Sequence, residues 1–393
     1  MDGDEEALRY DDHQHQGRIG LRERIAHFTW ANFTCTQSTG AIAILLSMTP
    51  HQFHGLQTAG VVVFIFNLAL FVLFCTAMLA RFILHPYMIK RSFTNPPEQY
   101  FFSSFFLSIA TTIICMQRFG VPHAGEWLVV AIRVLFWIYA ACTLIYATVT
   151  WVVVASVSPF EPLQINPAVF LMIFNTMLTG TIAGSIAESQ PPAQRLSIIV
   201  AGIAYQGLGW IVSMILLPWY LGSLLHNGPG SPSQRPGLFL PVGASGYAIV
   251  ALLSCARSVP RGYGYFARYS TAADVVRVLA TWASIFLWLF AFWLFTIALV
   301  ANIPPLLHRK RYFRPHMAFT LSWWGIIFPN VGFTIATIMI GDELQSNAIQ
   351  WVATAMTILL FAAWLMNLGL HFKALVIGQI MWPGKDEDVP KSL

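Results

Sequence analysis

The sequence predicts an all-α integral membrane protein, with ten transmembrane helices paired as five hairpins around a central pore. Three observations carry this. Of 393 residues, 56% are hydrophobic and only 10% carry a formal charge, whereas about a quarter of a soluble domain is charged. Mean hydropathy is +0.63, and the roughly 220 apolar residues suffice for about ten spans of some 20 residues each. Those residues fall into ten runs, so no stretch remains for a separate soluble domain. An ordinary soluble enzyme is excluded.

The runs lie near residues 30–49, 58–82, 101–117, 127–154, 164–187, 196–225, 238–256, 274–301, 318–340 and 346–371. Turn chemistry separates them: Thr49-Pro50, His85-Pro86, Asn95-Pro96-Pro97, Pro122, Ser158-Pro159, Gln190-Pro191-Pro192, Pro229 to Pro236, Pro304-Pro305, Pro315 and Gly341-Asp342. The domain reading is a tail with a short pre-helix (1–29), a pore domain (30–371) and a C-terminal tail (372–393). Residues 1–20 are acidic and polar, which suits a disordered tail and not a signal peptide.

Net charge is +5, from 22 Lys+Arg and 17 Asp+Glu. The basic residues sit mostly at span ends, so a membrane explains them better than nucleic acid does. With the N-terminus inside, 15 Lys and Arg fall on inner segments and five on outer loops. Both termini are therefore expected in the cytosol. That places the sequon Asn32-Phe33-Thr34 at the inner end of the first span, out of reach of glycosylation.

The two members of each hairpin differ. Odd-numbered spans hold small, polar and helix-bending residues: Thr36, Gln37, Ser38, Thr39 and Gly40; Ser103, Ser104, Ser108, Thr111 and Thr112; Asn166, Pro167, Asn175, Thr179 and Gly180. The seventh has Pro241, Gly243, Ser245 and Gly246, and the ninth Pro329, Asn330, Gly332 and Thr334. Even-numbered spans are more uniformly apolar and aromatic. Polar residues in a membrane face a bundle interior or a water-filled path, so odd spans should be inner and even spans outer. The alternative is that the small residues only permit close packing, as Gly180 and Gly184 at small-xxx-small spacing would.

No Asp, Glu, Lys or Arg falls within the odd runs. A carrier coupled to protons or sodium usually buries a carboxylate, and Arg133 and Arg277 are the only charges read inside even spans. No phosphate-binding loop, H-E-x-x-H or G-x-S-x-G pattern occurs, so neither an ATP-driven pump of that class nor an enzyme is expected. Cys35, Cys75, Cys115, Cys142 and Cys255 lie in apolar runs and read as buried structural thiols. His27, His51, His85, His308, His316 and His371 cluster at span ends and read as interfacial. No cofactor, metal or nucleic acid is predicted.

A neutral path can still favour anions. Proline inside a helix frees a backbone turn, and the half-helix after it presents N–H groups and a positive dipole end. Asn166-Pro167, Leu240-Pro241 and Phe328-Pro329 are placed to do this; a kink without a ligand is the other reading. The basic loop from Arg257 to Arg268 either concentrates anions at a pore mouth or binds lipid headgroups.

The segment Ser322-Trp323-Trp324-Gly325-Ile326-Ile327-Phe328-Pro329-Asn330 resembles the W-W-x-x-x-F-P signature of the tellurite-resistance/dicarboxylate transporter family, which includes plant guard-cell slow anion channels. His27-Phe28-Thr29-Trp30-Ala31-Asn32-Phe33, followed by Ser38-Thr39-Gly40, is similar to that family's H-F-T-P-x-W-F…G-T-G opening. Trp30 stands where proline is common, and Gln37-Ser38 replace a Met-Gly pair. The resemblance runs along the whole chain, and fungal sulfite efflux pumps match best in length and wording.

That resemblance implies quasi-fivefold symmetry, a pore in each subunit of a homotrimer, and a gating phenylalanine that lands on Phe328. An aromatic ring in a narrow uncharged channel blocks it sterically and by dewetting. The pore-lining candidates are Thr39, Gly40, Ser108, Thr112, Asn166, Pro167, Asn175, Thr179, Pro241, Ser245, Gly246, Pro329 and Asn330. The expected function is efflux of an inorganic anion, sulfite or bisulfite, across the plasma membrane, with membrane lipids as the other partners. A dicarboxylate permease of malate type is the alternative. It is disfavoured on this reading because a doubly charged acid needs cationic partners, which the odd runs lack.

Overall fold

The computed structural model describes residues 20–157, 166–307 and 317–383, and every regular element among them is helical. The tail before residue 20, Arg309 to Arg314, His308, His316, Pro315, Ser158-Pro159, Lys385 and Lys391 lie outside the described residues. Thirteen helices are numbered here. They are α1 (Leu21–Ala26), α2 (Phe33–Met48), α3 (Leu56–Leu84), α4 (Tyr87–Thr94), α5 (Pro96–Cys115), α6 (Glu126–Val157) and α7 (Leu171–Ile186), then α8 (Pro192–Asn227), α9 (Leu240–Arg257), α10 (Tyr265–Arg268), α11 (Ala272–Leu307), α12 (Phe328–Glu343) and α13 (Asn347–Val376). Nine helices among the described residues are long and apolar enough to cross a bilayer. The first expected span, α2, has 16 residues and is entered through a 3₁₀ turn at Trp30–Asn32.

The expected alternation is present. Of the central stretches of α7, α9 and α12, 94%, 89% and 94% of residues are buried; for α3, α6, α8, α11 and α13 the share is 22–33%. The five inner helices close a ring, α2 against α5, α5 against α7, α7 against α9, α9 against α12, and α12 back against α2. Each outer helix packs on its own inner partner and on the next inner helix round the ring. Polar side chains are thereby withdrawn from lipid, and the aromatic faces of Trp282, Phe286 and Trp293 point outward.

Small residues set the spacing inside the ring. A Cβ on Gly180 would come within 2.9 Å of the Gly202 carbonyl oxygen, and one on Gly184 would overlap Ser254. The packing reading therefore holds at these two positions. Related contacts recur around the bundle: Cys115 Sγ lies 3.6 Å from the Gly40 carbonyl of the preceding inner helix, and Cys255 Sγ lies 3.8 Å from that of Gly180.

Three expectations need correction. Arg81, one of the 15 cations counted on the inner segments, is instead a fully buried charge within α3. It pairs with Glu98 of α5, donates to Ser92 Oγ at 2.9 Å and to the Ala26 carbonyl at 3.0 Å. A guanidinium ending an apolar run reads as a flank in sequence; buried, it requires such a carboxylate. Cys142 is exposed on the outer helix α6, whereas Cys35, Cys115 and Cys255 are buried. His371 lies inside α13, where its Nδ1 accepts from Trp324 Nε1 at 3.1 Å. The short pre-helix is present as α1, and Arg24 ties it to the Leu375 carbonyl at 2.5 Å.

Candidate functional site: two cavities divided by an aromatic layer

The inner ring holds a cavity at each end. The first, about 550 Å³, lies where α2, α7, α9 and α12 begin; its walls include Thr34, Gln37, Asn166, Pro167, Ser322 and Gly325. The sequence folds this way because each entrance breaks regular helix. Asn166 Oδ1 accepts from the Ala168 N–H at 2.9 Å ahead of Pro167, and 3₁₀ turns at Pro232–Phe239 and Leu321–Ile326 lead into α9 and α12. Among the described residues, no Asp, Glu, Lys or Arg lines this cavity. Its electrostatics come from amides and from helix N-termini, which carry positive partial charge.

The second cavity, about 460 Å³, lies where the five inner helices end; Thr111, Arg118, Thr181, Glu188, Tyr247 and Arg257 are among its walls. Helix C-termini are negative, and here charged side chains answer them. Arg257 Nε lies 2.5 Å from Glu343 Oε1 and Nη1 lies 3.7 Å from Asp342 Oδ2, while Arg277 Nε meets Glu343 Oε2 at 2.9 Å. Arg118 makes no ion pair with any described residue. In the neighbouring loop Arg261 is paired with Asp274 at 2.5 Å, so part of the basic loop's charge is already neutralised. Both volumes fall in the ~300–1,000 Å³ range of small-molecule sites.

Between the cavities every inner helix contributes a short dividing layer. On α2 it lies between Gln37 and Ala41, on α7 between Leu171 and Leu178, and on α9 between Leu240 and Tyr247; approaching and entering α12, it lies between Gly325 and Val331. Phe174 and Phe328 occupy it, both fully buried. Gly243 leaves them room: a Cβ there would stand 3.3 Å from Phe174 Cε2 and from Pro329 Cα. The segment leading to Phe328 is anchored from α13, where Asn367 Nδ2 donates to the Trp323 carbonyl at 2.9 Å.

The predicted site residues divide into three groups. Asn166 and Pro167 line the first cavity. Asn175 Nδ2, Thr179 Oγ1, Ser245 Oγ and Asn330 Oδ1 are buried polar atoms without a partner among the described residues, on three inner helices. Of the others most sit at helix contacts, while Thr112 bonds within its own helix and Pro241 opens α9. Thr39 Oγ1 accepts from Trp364 Nε1 of α13 at 3.1 Å, and Gly40 packs on Thr111 and Asn67. Ser108 shares a 2.7 Å bond with Thr36 Oγ1, and Thr112 Oγ1 donates to the Ser108 carbonyl at 2.8 Å. Gly246 presses on the α12 backbone, Pro329 on Gly243, and Pro241 is buried in the first turn of α9.

Sequence reasoning missed Arg118, which it counted as a loop charge; Arg257 it placed in the basic loop, with a pore mouth as one of two readings, and here it stands in a cavity wall. The helices run a few residues beyond the apolar runs, and so carry both arginines into a cavity wall. Tyr247 and Phe174 gave no signal among 12 tyrosines and 30 phenylalanines.

This geometry can be set beside known proteins. The sequence profile of SLAC1, the voltage-dependent anion channel family, matches residues 27–372. The chain belongs to this SLAC1 family. It is similar to a malic acid transport protein of Schizosaccharomyces pombe, at 33% identity over 370 residues, covering 94% of this chain and 83% of that one. It is also similar to a sulfite efflux pump of Trichophyton rubrum, at 26% identity over 352 residues, covering 88% and 90%. An uncharacterized transporter of Methanocaldococcus jannaschii is 19% identical over 351 residues. The protein is a multi-pass membrane anion transporter of this family.

Proposed function

We propose that the protein moves a small organic dianion, a C4-dicarboxylate of the malate class, across the plasma membrane through the axis of the inner ring. One observation carries the pore reading: two cavities at opposite ends of one inner ring, divided by a single aromatic layer. Phe328 is the gate in that layer, and Asn175, Thr179 and Ser245 are the donors a passing anion meets. The bundle is quasi-fivefold, residues 30–371 form the pore domain, and three copies assemble. Both termini face the cytosol, which puts the first cavity on the cytosolic side.

Two points favour a dicarboxylate. Arg118 and Arg257 give the outer cavity the cationic partners that the odd runs lack in sequence. The higher identity to the malic acid transport protein points the same way. Sulfite is the second reading, supported by the lack of charge among the described residues that line the first cavity and by the similarity to a sulfite efflux pump.

Radiolabelled malate and sulfite flux into proteoliposomes tests both. Malate uptake that saturates and is inhibited by excess succinate supports the proposal. Sulfite uptake alone transfers it to the second reading, and no anion flux from folded protein ends both.

A further inference from the structure

Tyr247 of α9 stands between the second cavity and Phe328. Its ring lines that cavity, and its centroid lies 4.9 Å from that of Phe328 with 30° between the planes. Its hydroxyl donates to the carbonyl oxygen of the same residue, Phe328, at 3.0 Å. Tyr247 thus holds both parts of Phe328, covering the ring and bonding the backbone. Both residues are buried.

The backbone around this pair is shaped to receive the tyrosine. A Cβ on Gly332, one turn along α12, would come 2.7 Å from Tyr247 Cε2, so a side chain there would displace the ring. Gly246, just before the tyrosine, brings α9 against α12, since a Cβ there would lie 2.6 Å from Phe333 N. Phe328 and Pro329 open α12, in the turn whose N–H groups have no partner within the helix, so this end of the helix is its least held part. At that weak point a hydrogen bond arrives from a neighbouring helix.

We propose that Tyr247 is a positioning residue that latches Phe328 shut, its phenolic hydrogen bond opposing the backbone movement that withdraws the ring. This rests on the gate reading of Phe328. Swinging Phe328 aside breaks the bond and unstacks the rings together, so loss of the hydroxyl alone should favour the open state.

The test is anion flux through the full chain in proteoliposomes, with chloride as the probe, for Tyr247→Phe, Phe328→Ala and the double variant. Tyr247→Phe keeps the ring and removes the donor; flux should rise about fivefold, the ratio one net hydrogen bond sets. On the Phe328→Ala background the same change should add nothing, because the ring it restrains is gone. Wild-type flux in Tyr247→Phe, beside a leaky Phe328→Ala, overturns the latch and leaves the gate standing. An equal rise on both backgrounds also overturns it, because Tyr247 then acts by widening the cavity. Unchanged flux in folded Phe328→Ala removes the gate and the latch with it. Should Tyr247→Phe fail to fold, Gly332→Ala displaces the same ring and should raise flux likewise; no rise there counts against the latch.

Discussion

The two cavities differ in how they present positive potential. The first sits at helix N-termini, and none of the described residues in its wall is charged. The second sits at helix C-termini and has Arg118, Arg257 and Glu188 in its wall. Five parallel inner helices make one end of the ring attractive to anions by backbone alone, and the other end repulsive. Arginines are therefore needed only at the second end. The asymmetry follows from topology, because every hairpin returns the chain to the same side before the next inner helix starts.

The largest break in this comparison is to merge the cavities. Phe328→Ala removes the ring between them, and basal flux is expected to rise by about tenfold, the factor that 1.4 kcal/mol off a barrier gives. Chloride or malate efflux from vesicles reads it out directly. Next in size, Arg257→Gln removes a cation and leaves Glu343 paired with Arg277 alone. Flux from that side is expected to fall about threefold to tenfold at low ionic strength and to recover partly in high salt, as screened steering does. A loss that is insensitive to salt would mean that Arg257 acts through helix packing.

Arg118→Gln sharpens the substrate question. Its expected effect is a KM for malate raised by about threefold to tenfold, the range one net hydrogen bond sets, with sulfite flux changed less. Equal effects on both anions would remove the arginine argument for a dianion. The smallest effect belongs to the first cavity. Gln37→Leu removes one amide from a wall governed by helix ends, and flux should change by about twofold with no salt dependence. A large, salt-dependent loss there would contradict the division of labour between the two ends.

Much of this was legible in sequence for physical reasons. Lipid penalises exposed polar atoms, so Ser103, Ser104, Ser108 and their counterparts on alternate runs marked the inner helices without further information. Proline and asparagine at Asn166-Pro167 marked a helix start that does face a cavity. What stayed hidden depends on neighbours distant in the chain. Arg81 and Glu98 cannot be seen as a pair until α3 and α5 pack. Thr39 and Gly40 had the composition of pore residues, yet they meet Trp364 and Thr111. Composition gives the burial of a residue but not the direction in which it points round a fully buried helix. The same limit hid Tyr247, whose role depends on the one carbonyl its hydroxyl reaches.

The opposed directions of the inner and outer helices have an electrical consequence. Their dipoles largely cancel across the whole molecule, so a transmembrane potential exerts little net torque on the scaffold. The dividing layer of Phe174, Gly243 and Phe328 carries no ionisable side chain. A unit charge crossing 100 mV gains about 2.3 kcal/mol, and in that layer the only charge able to gain it is the travelling anion. Any response to membrane voltage therefore starts from the permeating ion or from charges outside this layer, such as Arg118 and Arg257 at the second cavity, and not from a charged sensor within it.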